Sequence, residues 1–572
     1  MPIENIRHSL SHLMSMAIME KYPKAGLGVG PAIENGFYQD YDLPEAISEK
    51  DFGWIEKRMR ELIAKKIKFA KSESDFANAL KFYEHDPYKT EMINDLKVAG
   101  EKKLSFYDSD WFHNLCAGPH VSSTNEISPD AFKLTKLAGA YWRGSEKNKM
   151  LTRIYGVAFS SKKELEDYLK QLAEAEKRDH RKIGREQDLF SFYEKAPGFP
   201  FWHPKGMVLR ESLMTLYSKM CKEAGYISVS TPILLPEELW RQSGHWDNYK
   251  DNMYFTEIEG KTFAIKPMNC PGVSIIYKNH PRSYRDLPLR FAETGEVHRH
   301  EPSGTLHGLF RVRAFRQDDA HIFCREDQIE KEVKDIIKLA LKFYKMLSFK
   351  EVNIELSTRP EKSIGTNEVW EKAESILKKI LTGLKLKFKI NEGDGAFYGP
   401  KIDFHIKDSI GRSWQCATIQ LDFSMPERFD LKYTDKDGSA KRPVMIHRTI
   451  IGSIQRFIGV LIEHFGGAFP LWLSPEQVWV VPITDKHIKY AKQINSELIT
   501  NNFRTRLKDD NETVSKKIRE GEMQKIPYLL IVGDKEIKSK SVAVRQRGKG
   551  DLGAMKLSKF LKKVKIEEEA KR

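Results

Sequence analysis

Residues 290–321 carry side chains whose types and spacing could bind a nucleotide. Two polar runs that can form strands flank a loop with Pro302, Ser303 and Gly304, which predicts an antiparallel hairpin. Strand alternation would place these residues on one face of the second run: Arg311, Arg313, Phe315, Gln317, Asp319 and His321. Charged side chains are rarely buried unless paired, so this face is expected to line a site. Arginine suits phosphate, and a phenyl ring suits stacking on a base.

A second set of reactive side chains stands near the start of the chain. His8 and His12 are four residues apart on a predicted helix, so their rings lie on one face. Cys116 and His120 follow much later, on either side of a turn formed by Gly118 and Pro119. These four side chains could hold zinc. The alternative is a group of partly buried histidines beside an inert thiol.

Residues 299–324 resemble motif 2 of class II aminoacyl-tRNA synthetases in the form found in the threonyl-tRNA synthetase family: RHEPSG is followed by HGLFRVRAFRQDDAHIFC. The resemblance covers nearly the whole chain. It implies a multidomain protein of α/β and α+β class, with a class II antiparallel-sheet catalytic core, an N-terminal α+β editing domain and a C-terminal α/β anticodon-binding domain. The expected boundaries are 1–160 for editing, 161–179 for a linker helix, 180–472 for catalysis and 475–572 for anticodon binding.

This resemblance implies an AMP-forming ligase. Such an enzyme forms threonyl adenylate from threonine and ATP, transfers threonine to tRNA(Thr), and hydrolyses seryl-tRNA(Thr). The alternative is a tRNA-binding regulator or a free-standing deacylase that has lost synthesis. A protein of that kind should lack one of the following residues, all of which are present: Cys270, Arg299, His321, His447 and Arg456.

By resemblance, Cys270, His321 and His447 form a zinc site with one ion per subunit. Taken alone, Cys270 would be an ordinary buried thiol, on a turn fixed by Pro271 and Gly272. Three protein ligands leave an open position that could accept the amino and hydroxyl groups of threonine, and valine has no hydroxyl. Serine does have one, and a missing methyl changes binding by only about 1–3 kcal/mol. A hydrolytic reaction that removes serine attached in error is therefore expected.

The other catalytic-domain assignments also follow from the resemblance. The expected threonine-binding residues are Met268, Asp319, Tyr398, Lys401 and Gln420. The expected ATP-binding residues are Arg299, Glu301, Arg311, Phe315, Gln415, Thr418 and Arg456. Mg²⁺ would bridge the phosphates, the three arginines would act in catalysis, and His245 is linked to transfer onto tRNA. Gln415 and Thr418 have opposite parity in WQCATIQLDF, so we expect a bulge or a strand end there.

The HxxxH and CxGPH patterns resemble the editing signature of threonyl- and alanyl-tRNA synthetases. The resemblance implies that the four-residue cluster orients substrate and water without a required metal, and that Lys89 steadies the ester or the terminal phosphate. Asn114 replaces the acid that the family usually carries, and an amide cannot act as a base. Hydrolysis is therefore expected to be slower, or to rest on His8, His12 and the substrate's own hydroxyl.

The remaining segments suggest connections and interfaces. Residues 206–235 predict an amphipathic helix, a turn at Gly225 and a strand interrupted by Pro232, and their resemblance to class II motif 1 implies a homodimer. Residues 160–190 predict a solvated connecting helix. After residue 475, short apolar strands alternate with helices, which predicts a small α/β domain. It resembles the anticodon-binding domain of the glycine, histidine, threonine and proline enzymes, with base contacts implied for Asn511, Arg519, Glu536 and Arg545.

Composition sets broader limits. A length of 572 residues suggests three or four domains at about 150 residues each. The net charge of +15 favours a polyanionic partner, and five widely spaced cysteines indicate a reducing compartment. No signal-peptide pattern and no apolar run of membrane-spanning length are present, so we expect a cytoplasmic protein without membrane contact. Because the HxxxH helix comes almost first, the family's usual N-terminal β-grasp domain is expected to be missing.

Overall fold

The computed structural model describes residues 2–571, which form two compact units, one up to Ala173 and one from Glu174. The division falls within the helix Lys162–Lys177, where only Leu165 is buried. Strong helix formers with charges of both signs explain an exposed helix of this length. The first compact unit therefore includes part of the predicted linker.

The first unit packs helices against two antiparallel sheets. Its helices are α1 Ile3–Lys21, α2 Phe52–Ala64, α3 Phe76–Phe82, α4 Pro87–Val98 and the greater part of α5 Lys162–Lys177. Its strands are β1 Gly26–Leu27, β2 Ala32–Ile33, β3 Gly36–Asp42, β4 Ala70–Ser74, β5 Leu104–Ser109, β6 Phe112–Leu115, β7 Phe132–Tyr141 and β8 Met150–Ala158. One sheet has the order β1-β3-β8-β7 with β2 beside β3, and the other has the order β4-β5-β6.

The apolar residues of α1 fix its rotation in the first unit. Leu10, Leu13 and Ile18 are fully buried in one core with Phe37 and Ile154 of the larger sheet. Because this core holds the helix in one orientation, the direction of its two histidine side chains is also set.

The catalytic part of the second unit contains these helices: α6 His180–Glu186, α7 Pro204–Glu223, α8 Glu237–Gln242, α9 His245–Tyr249, α10 Cys270–Lys278, α11 Ile329–Met346, α12 Asn367–Gly383, α13 Ser424–Arg428 and α14 Ile454–Phe465. Its strands are β9 Phe190–Ser191, β10 Phe201–Trp202, β11 Ile227–Ser228, β12 Leu234–Pro236, β13 Tyr254–Ile258, β14 Lys261–Ile265, β15 Leu289–His298, β16 Ala314–Cys324, β17 Val352–Ser357, β18 Phe388–Asn391, β19 Lys401–Lys407, β20 Ser413–Asp422, β21 Tyr433–Thr434, β22 Ala440–Lys441 and β23 Val444–Thr449.

An eight-stranded sheet organises this part, in the order β11-β15-β16-β23-β20-β19-β17-β18. Its inner pairs are antiparallel, and only the two edge pairs are parallel. Alternate residues such as Ile322, Ile402 and Ile446 join one core with α7, α11, α12 and α14. The intervening residues, including His321 and His447, point to the opposite face. That face carries the site.

The predicted hairpin is confirmed, with its loop longer than the strand pattern suggested. β15 and β16 pair from Leu289 with Phe323 to His298 with Ala314. The second strand begins at Ala314, so Arg311 and Arg313 belong to the loop and not to a strand face. The apolar and polar alternation of the run did not reveal this boundary.

The segment predicted as a helix, a turn and an interrupted strand has the expected order. Gly225 has φ of +79° after α7, a conformation that glycine adopts without strain. The strand is divided between two sheets, because β11 pairs with β15 while β12 pairs with β14. Pro232 lies between them, where no ladder hydrogen bond is required of it.

The C-terminal part is the small α/β domain that the sequence predicts. Its strands are β24 Val478–Pro482, β25 Thr505–Leu507, β26 Tyr528–Val532, β27 Ser541–Gln546 and β28 Gly550–Lys556. Its helices are α15 Ile488–Thr500, α16 Val514–Met523, α17 Asp534–Ser539 and α18 Leu557–Glu569. The sheet is mixed, since β25, β24 and β26 are parallel and β27 and β28 are antiparallel to their neighbours. Within residues 2–571, no helix has the length and apolar character needed to cross a bilayer.

Candidate active sites

The three predicted zinc ligands meet on the open face of the central sheet. His321 and His447 stand opposite each other on β16 and β23, and Cys270 is the first residue of α10. The donor atoms of these residues lie within 4.8 Å of one another. The prediction of a turn at Cys270 is wrong, because Pro271 and Gly272 lie in the first turn of α10, where proline costs no hydrogen bond.

This donor set fits a divalent metal. Neither ring nitrogen of the buried His321 has a hydrogen-bond partner in the part of the chain that the structure describes. His447 Nε2 lies 2.9 Å from Asp422 Oδ2, so the lone pair of Nδ1 is free to bind a metal. Burial raises the pKa of the Cys270 thiol well above its ordinary value, and a bound cation would reverse this. Two imidazoles and one thiolate suit zinc with an open position.

A cavity of about 320 Å³ borders this donor set, and Met268, Asp319, Tyr398 and Gln420 lie on its wall. The Tyr398 hydroxyl donates to Gln420 Oε1 at 2.5 Å, and Asn269 Nδ2 donates to Asp319 Oδ2 at 3.0 Å. Burial raises the pKa of Asp319 to about 6. A small amino acid with a side-chain hydroxyl would meet oriented polar groups here.

Lys401, the fifth residue of the predicted threonine set, does not line this cavity, and its assignment stays a prediction. It faces Gln420 in the β19–β20 pair, which is consistent with the assignment by resemblance. Its ammonium instead lies 2.9 Å from Asp394 and 2.9 Å from Asp403. The two carboxylates hold it beside the strand.

A second cavity contains every predicted ATP-binding residue: Arg299, Glu301, Arg311, Phe315, Gln415, Thr418 and Arg456. The Arg299 guanidinium lies 5.1 Å from the Phe315 ring centre, and Glu301 pairs with Arg311 at 3.0 Å. Arg456, on α14, donates from Nε to the Phe310 carbonyl at 3.0 Å. Three arginines on one wall supply the charge and the donors that a triphosphate requires.

Arg313 does not share the face that the sequence predicted for it. It precedes β16, and its guanidinium donates to the carbonyls of Glu301 and Pro197 and to Ser303 Oγ. The residue therefore braces the hairpin loop. Arg311 also precedes the strand, but it still lines the cavity.

The irregularity expected near Gln415 is confirmed. The β19–β20 register shifts between Asp403, which faces Thr418, and His405, which faces Gln415. The bulge lets both side chains donate to Asp403 Oδ1, at 2.7 Å from Gln415 and 2.8 Å from Thr418. Asp403 was not assigned a role from the sequence, although its place between Ile402 and Phe404 in the alternating run KIDFHIKD was an available signal.

The two cavities adjoin each other. Four residues line both of them: Arg299, Gln317, Thr418 and Thr449. Gln317 was on the predicted strand face without a role, and Thr449 was missed because nothing in its local sequence distinguishes it. An amino-acid carboxylate in one cavity and an α-phosphate in the other would meet beside Arg299.

His245, the first residue of α9, lies fully buried behind Met268 and Cys270. Its Nε2 is 3.1 Å from Met268 Sδ and 3.7 Å from Cys270 Sγ, and its Nδ1 is 2.8 Å from Ser243 Oγ. Burial lowers the pKa of this ring to about 3, so it is neutral. In this structure the ring supports a predicted metal ligand. Its assignment to tRNA transfer stays a prediction.

The N-terminal cluster is also assembled. His8 and His12 on α1 meet Cys116 and His120 from the segment after β6, with donor atoms within 4.8 Å of one another. Cys116 Sγ lies 3.4 Å from His8 Nε2 and 3.3 Å from His120 Nε2. Lys89, in the first turn of α4, is 3 % exposed and lines the same cavity.

The cluster is electrically neutral near pH 7. Burial lowers the pKa of all three histidine rings. The pKa of His12 falls well below its ordinary value, and that of His120 falls to about 3. Burial raises the pKa of the Cys116 thiol. The cluster therefore offers hydrogen-bond acceptors and a protonated thiol, which can order a substrate and a water but do not form a nucleophilic thiolate.

Asn114 fixes the proton position on His12. Its Nδ2 donates to His12 Nε2 at 3.1 Å, while its Oδ1 accepts from the Tyr83 hydroxyl at 3.4 Å. His12 consequently carries its proton on Nδ1, which finds no partner among residues 2–571. An aspartate at this position could only accept a hydrogen bond, so it would reverse the tautomer.

We expect Asn114→Asp to accelerate hydrolysis of seryl-tRNA at least about tenfold, because it restores a basic group and positioned acid–base catalysis typically contributes 10²–10⁴-fold. The measurement is release of serine from preformed seryl-tRNA. Threonine-dependent ATP–pyrophosphate exchange is the control and should not change. Equal or slower hydrolysis would contradict this expectation.

The anticodon assignments fall on exposed and partly exposed positions of the C-terminal domain. Asn511 and Arg519 are exposed. Glu536 accepts from the Gly533 backbone amide at 3.0 Å, and Arg545 lies 3.6 Å from Glu522. Two of the four assigned side chains thus have local partners, and their contact with bases stays a prediction.

Three segments match known protein families. Residues 254–465 match the tRNA synthetase class II core domain (G, H, P, S and T), residues 477–567 an anticodon binding domain, and residues 104–155 the threonyl and alanyl tRNA synthetase second additional domain. With the antiparallel sheet and its adjoining cavities, these matches define a class II aminoacyl-tRNA synthetase.

Individual relatives narrow this class further. The threonine–tRNA ligases of Carboxydothermus hydrogenoformans and Clostridium tetani are each 54 % identical over 99 % of this chain, which covers 89 % and 88 % of theirs. The solved RNA binding domain of threonyl-tRNA synthetase from Cryptosporidium parvum Iowa II has a TM-score of 0.66 at 41 % identity, covering 68 % of this chain and 98 % of that one. The chain belongs to the threonine–tRNA ligase family. The family resemblance found in the sequence is confirmed, and the regulator or deacylase alternative is not favoured.

Proposed function

We propose that the chain charges tRNA(Thr) with threonine in two steps and removes serine attached in error. One observation carries this proposal: the set of Cys270, His321 and His447 borders a cavity that adjoins an arginine-lined cavity. A metal-ligating set suits amino-acid selection, and the arginine wall suits ATP. The proposed domains are an editing domain in residues 1–160, a linker helix in 161–179, a catalytic domain in 180–472 and an anticodon-binding domain in 475–572.

In the first step the threonine carboxylate attacks the α-phosphate of ATP, and pyrophosphate leaves. Arg299 holds the α-phosphate, while Arg311 and Arg456 hold the other phosphates. Glu301 and Phe315 hold the adenine. This transfer depends mainly on positioning and charge stabilisation, so the carboxylate needs no general base. Mg²⁺, bound together with ATP, would neutralise further phosphate charge.

The proposed selection of threonine depends on the buried donor set. Cys270, His321 and His447 would hold zinc, which, when bound, supplies an open Lewis-acid position for an amino group and a hydroxyl. Asp319 accepts from the hydroxyl, and Tyr398 orients Gln420 toward the same amino acid. Valine would leave these polar groups without partners. The resulting loss of binding free energy is far larger than the loss caused by a small difference in volume.

Hydrolysis of the seryl ester is assigned to the N-terminal cavity. The neutral ring of His8 can accept a hydrogen bond from the substrate or a water. His12 and His120, whose ring nitrogens face Asn114 and Cys116, hold the cluster in place, and Cys116 lies between His8 and His120. The ammonium of Lys89, on the same cavity wall, stabilises charge that develops on the ester oxygen.

Aminoacylation of tRNA(Thr) tests the proposed function. The metallated protein is incubated with ATP, labelled threonine or serine, and a tRNA(Thr) transcript. Threonyl-tRNA should accumulate, whereas serine should drive ATP consumption without lasting seryl-tRNA. Failure to form threonyl-tRNA with fully metallated protein would overturn the proposal.

We also infer a homodimer that works in the cytoplasm, where tRNA is charged. Ile227 is 53 % exposed and Ile233 47 % exposed, on the segment that resembles motif 1. Apolar side chains grouped on a surface favour burial against a partner.

The anticodon is proposed to bind the C-terminal domain, because its unpaired bases are open to hydrogen bonding. The proposed contact residues are Asn511, Arg519, Glu536 and Arg545.

We expect sedimentation at micromolar concentration to give twice the 66.3 kDa chain mass. Ile233→Lys should shift the protein toward monomer, because it places a charge in the apolar contact. Ile499→Lys, at an exposed position of α15, is the matched control and should leave the mass unchanged. A monomeric parent protein, or an equal shift in both variants, would contradict the dimer.

A further inference from the structure

His180 is a fully buried histidine that the proposed mechanism does not use. It begins α6, and both of its ring nitrogens have partners. Nδ1 lies 2.6 Å from Glu463 Oε1 near the end of α14, and Nε2 lies 2.9 Å from the backbone nitrogen of Leu309. The backbone N–H can only donate, so Nε2 accepts and Nδ1 carries the proton. Because both nitrogens are occupied, the nearby carboxylates do not make this ring a metal ligand.

The backbone that His180 holds belongs to the loop of the ATP cavity. Leu309 is followed by Phe310, whose ring centre lies 4.1 Å from that of His180 and 4.2 Å from that of Trp414. The Phe310 carbonyl accepts from Arg456 Nε at 3.0 Å. Thus one residue of the loop touches His180 on one side and a predicted phosphate-binding arginine on the other.

The next residue, Arg311, reaches the cavity itself. It lines the wall and pairs with Glu301 at 3.0 Å. Its backbone position follows from that of Leu309 and Phe310. A shift of the Leu309 amide would therefore move Arg311 and remove the support of Arg456 together.

The loop approaches His180 so closely that only glycine fits at position 308, immediately before Leu309. Gly308 has φ of +47°, and a Cβ atom on it would lie 2.2 Å from His180 Nε2. This contact places the ring directly against the loop backbone. The fit gives a second way to disturb the same hydrogen bond.

We propose that His180 is a positioning residue for ATP: it holds the Leu309 amide and thereby sets the places of Phe310, Arg311 and Arg456. Glu463 fixes the tautomer that makes Nε2 an acceptor. This inference rests on the proposed ATP-dependent function. It concerns a residue outside the predicted ATP set, since His180 lines neither cavity.

Two conservative variants separate positioning from general stability. The amide of glutamine stands near the place of Nε2 and can accept from Leu309, whereas the amide of asparagine stands near Nδ1 and can only replace the bond to Glu463. We expect His180→Asn to raise the KM for ATP in pyrophosphate exchange by about tenfold, since the buried Leu309 N–H loses its acceptor. His180→Gln should keep the KM for ATP within about twofold of the parent value, as expected when this hydrogen bond is retained.

The KM for threonine, the zinc content and the hydrolysis of seryl-tRNA should stay unchanged in both variants. Equal KM values for ATP in the two variants, or a parallel rise in the KM for threonine, would overturn the proposal, because a loss of stability alone affects both substrates. Exchange by the parent protein is measured beside them. Its absence would refute the proposed function, not the role of His180.

A third variant keeps the test decisive if both His180 variants fail to fold. Gly308→Ala pushes the loop away from the ring, and we expect it to raise the KM for ATP with an unchanged KM for threonine. Gly304→Ala, in the same loop with open space around its Cβ position, is the matched control and should leave the KM for ATP unchanged. An unchanged KM for ATP in Gly308→Ala would overturn the proposal.

Discussion

Cys270→Ser is expected to lower threonine-dependent ATP–pyrophosphate exchange by about 1,000-fold, because losing several kcal/mol of Lewis-acid stabilisation, about 4 kcal/mol, corresponds to that factor. Serine keeps the size of the side chain but does not supply a thiolate, so the donor set loses its anionic member. The variant should also purify with little zinc. Exchange kinetics and metal analysis by mass spectrometry provide the two readouts.

Cys324→Ser is the matched control for this substitution. Cys324 is also buried, as the last residue of β16, but it belongs to the hydrophobic core of the catalytic part and not to the donor set. It should keep its zinc and its exchange rate, apart from any effect on stability. Full activity and zinc in the Cys270 variant would refute the metal assignment. An equal loss in both variants would attribute the effect to the fold.

His8→Ala is expected to slow deacylation of seryl-tRNA by at least about 100-fold, because a positioned acid–base group typically contributes 10²–10⁴-fold. Seryl-tRNA should then accumulate during aminoacylation with serine. Threonine activation should be intact, since it depends on a different set of residues. The measurement is the amount of seryl-tRNA formed at equal rates of ATP consumption.

His113→Ala provides the control for the editing variant. This histidine lies close in sequence to the cluster, but its Nδ1 contacts Asp108 and its ring stacks on Phe106 at 4.4 Å. It should deacylate seryl-tRNA at the parent rate. Unchanged misacylation in His8→Ala would remove His8 from the editing site. Loss of threonine activation would indicate that the substitution unfolds the protein.

Strand alternation predicted a large part of the catalytic face. Asp319 and His321 share a face because they are two residues apart on β16, and that face is indeed open. The parity argument also located the bulge at Gln415, since two residues assigned to one ligand cannot otherwise point the same way. These predictions succeeded because a regular strand has a fixed period.

Elements that depend on distant partners were not predictable in the same way. Arg313 fails the alternation because β16 begins one residue later, a boundary that the hydrogen bonds with β15 determine. Lys401 turns toward Asp394 and Asp403, a choice of ion pair that no local pattern records. Cys270 begins a helix. The sequence could not distinguish this from an isolated turn, because Pro271 suits both.

The buried polar residues behind the site were also missed. Asp318 accepts from the backbone amides of Ile450, Ile451 and Gly452, at 2.8, 3.0 and 2.6 Å, and so supports the turn before α14. In the sequence it is only the first acid of a pair, and its neighbour Asp319 carried the predicted role. Periodicity assigns a residue to a face, but long-range hydrogen bonds decide what that residue holds.

Amino-acid-dependent ATP–pyrophosphate exchange by the parent protein tests the proposed synthetic site most directly. It is measured with threonine, serine and valine, before zinc chelation, after it, and after zinc is restored. We expect threonine to exceed serine, valine to give no exchange, chelation to abolish the activity, and zinc to return it. Exchange with valine, or threonine exchange that survives complete removal of zinc, would contradict selection of threonine by Cys270, His321 and His447.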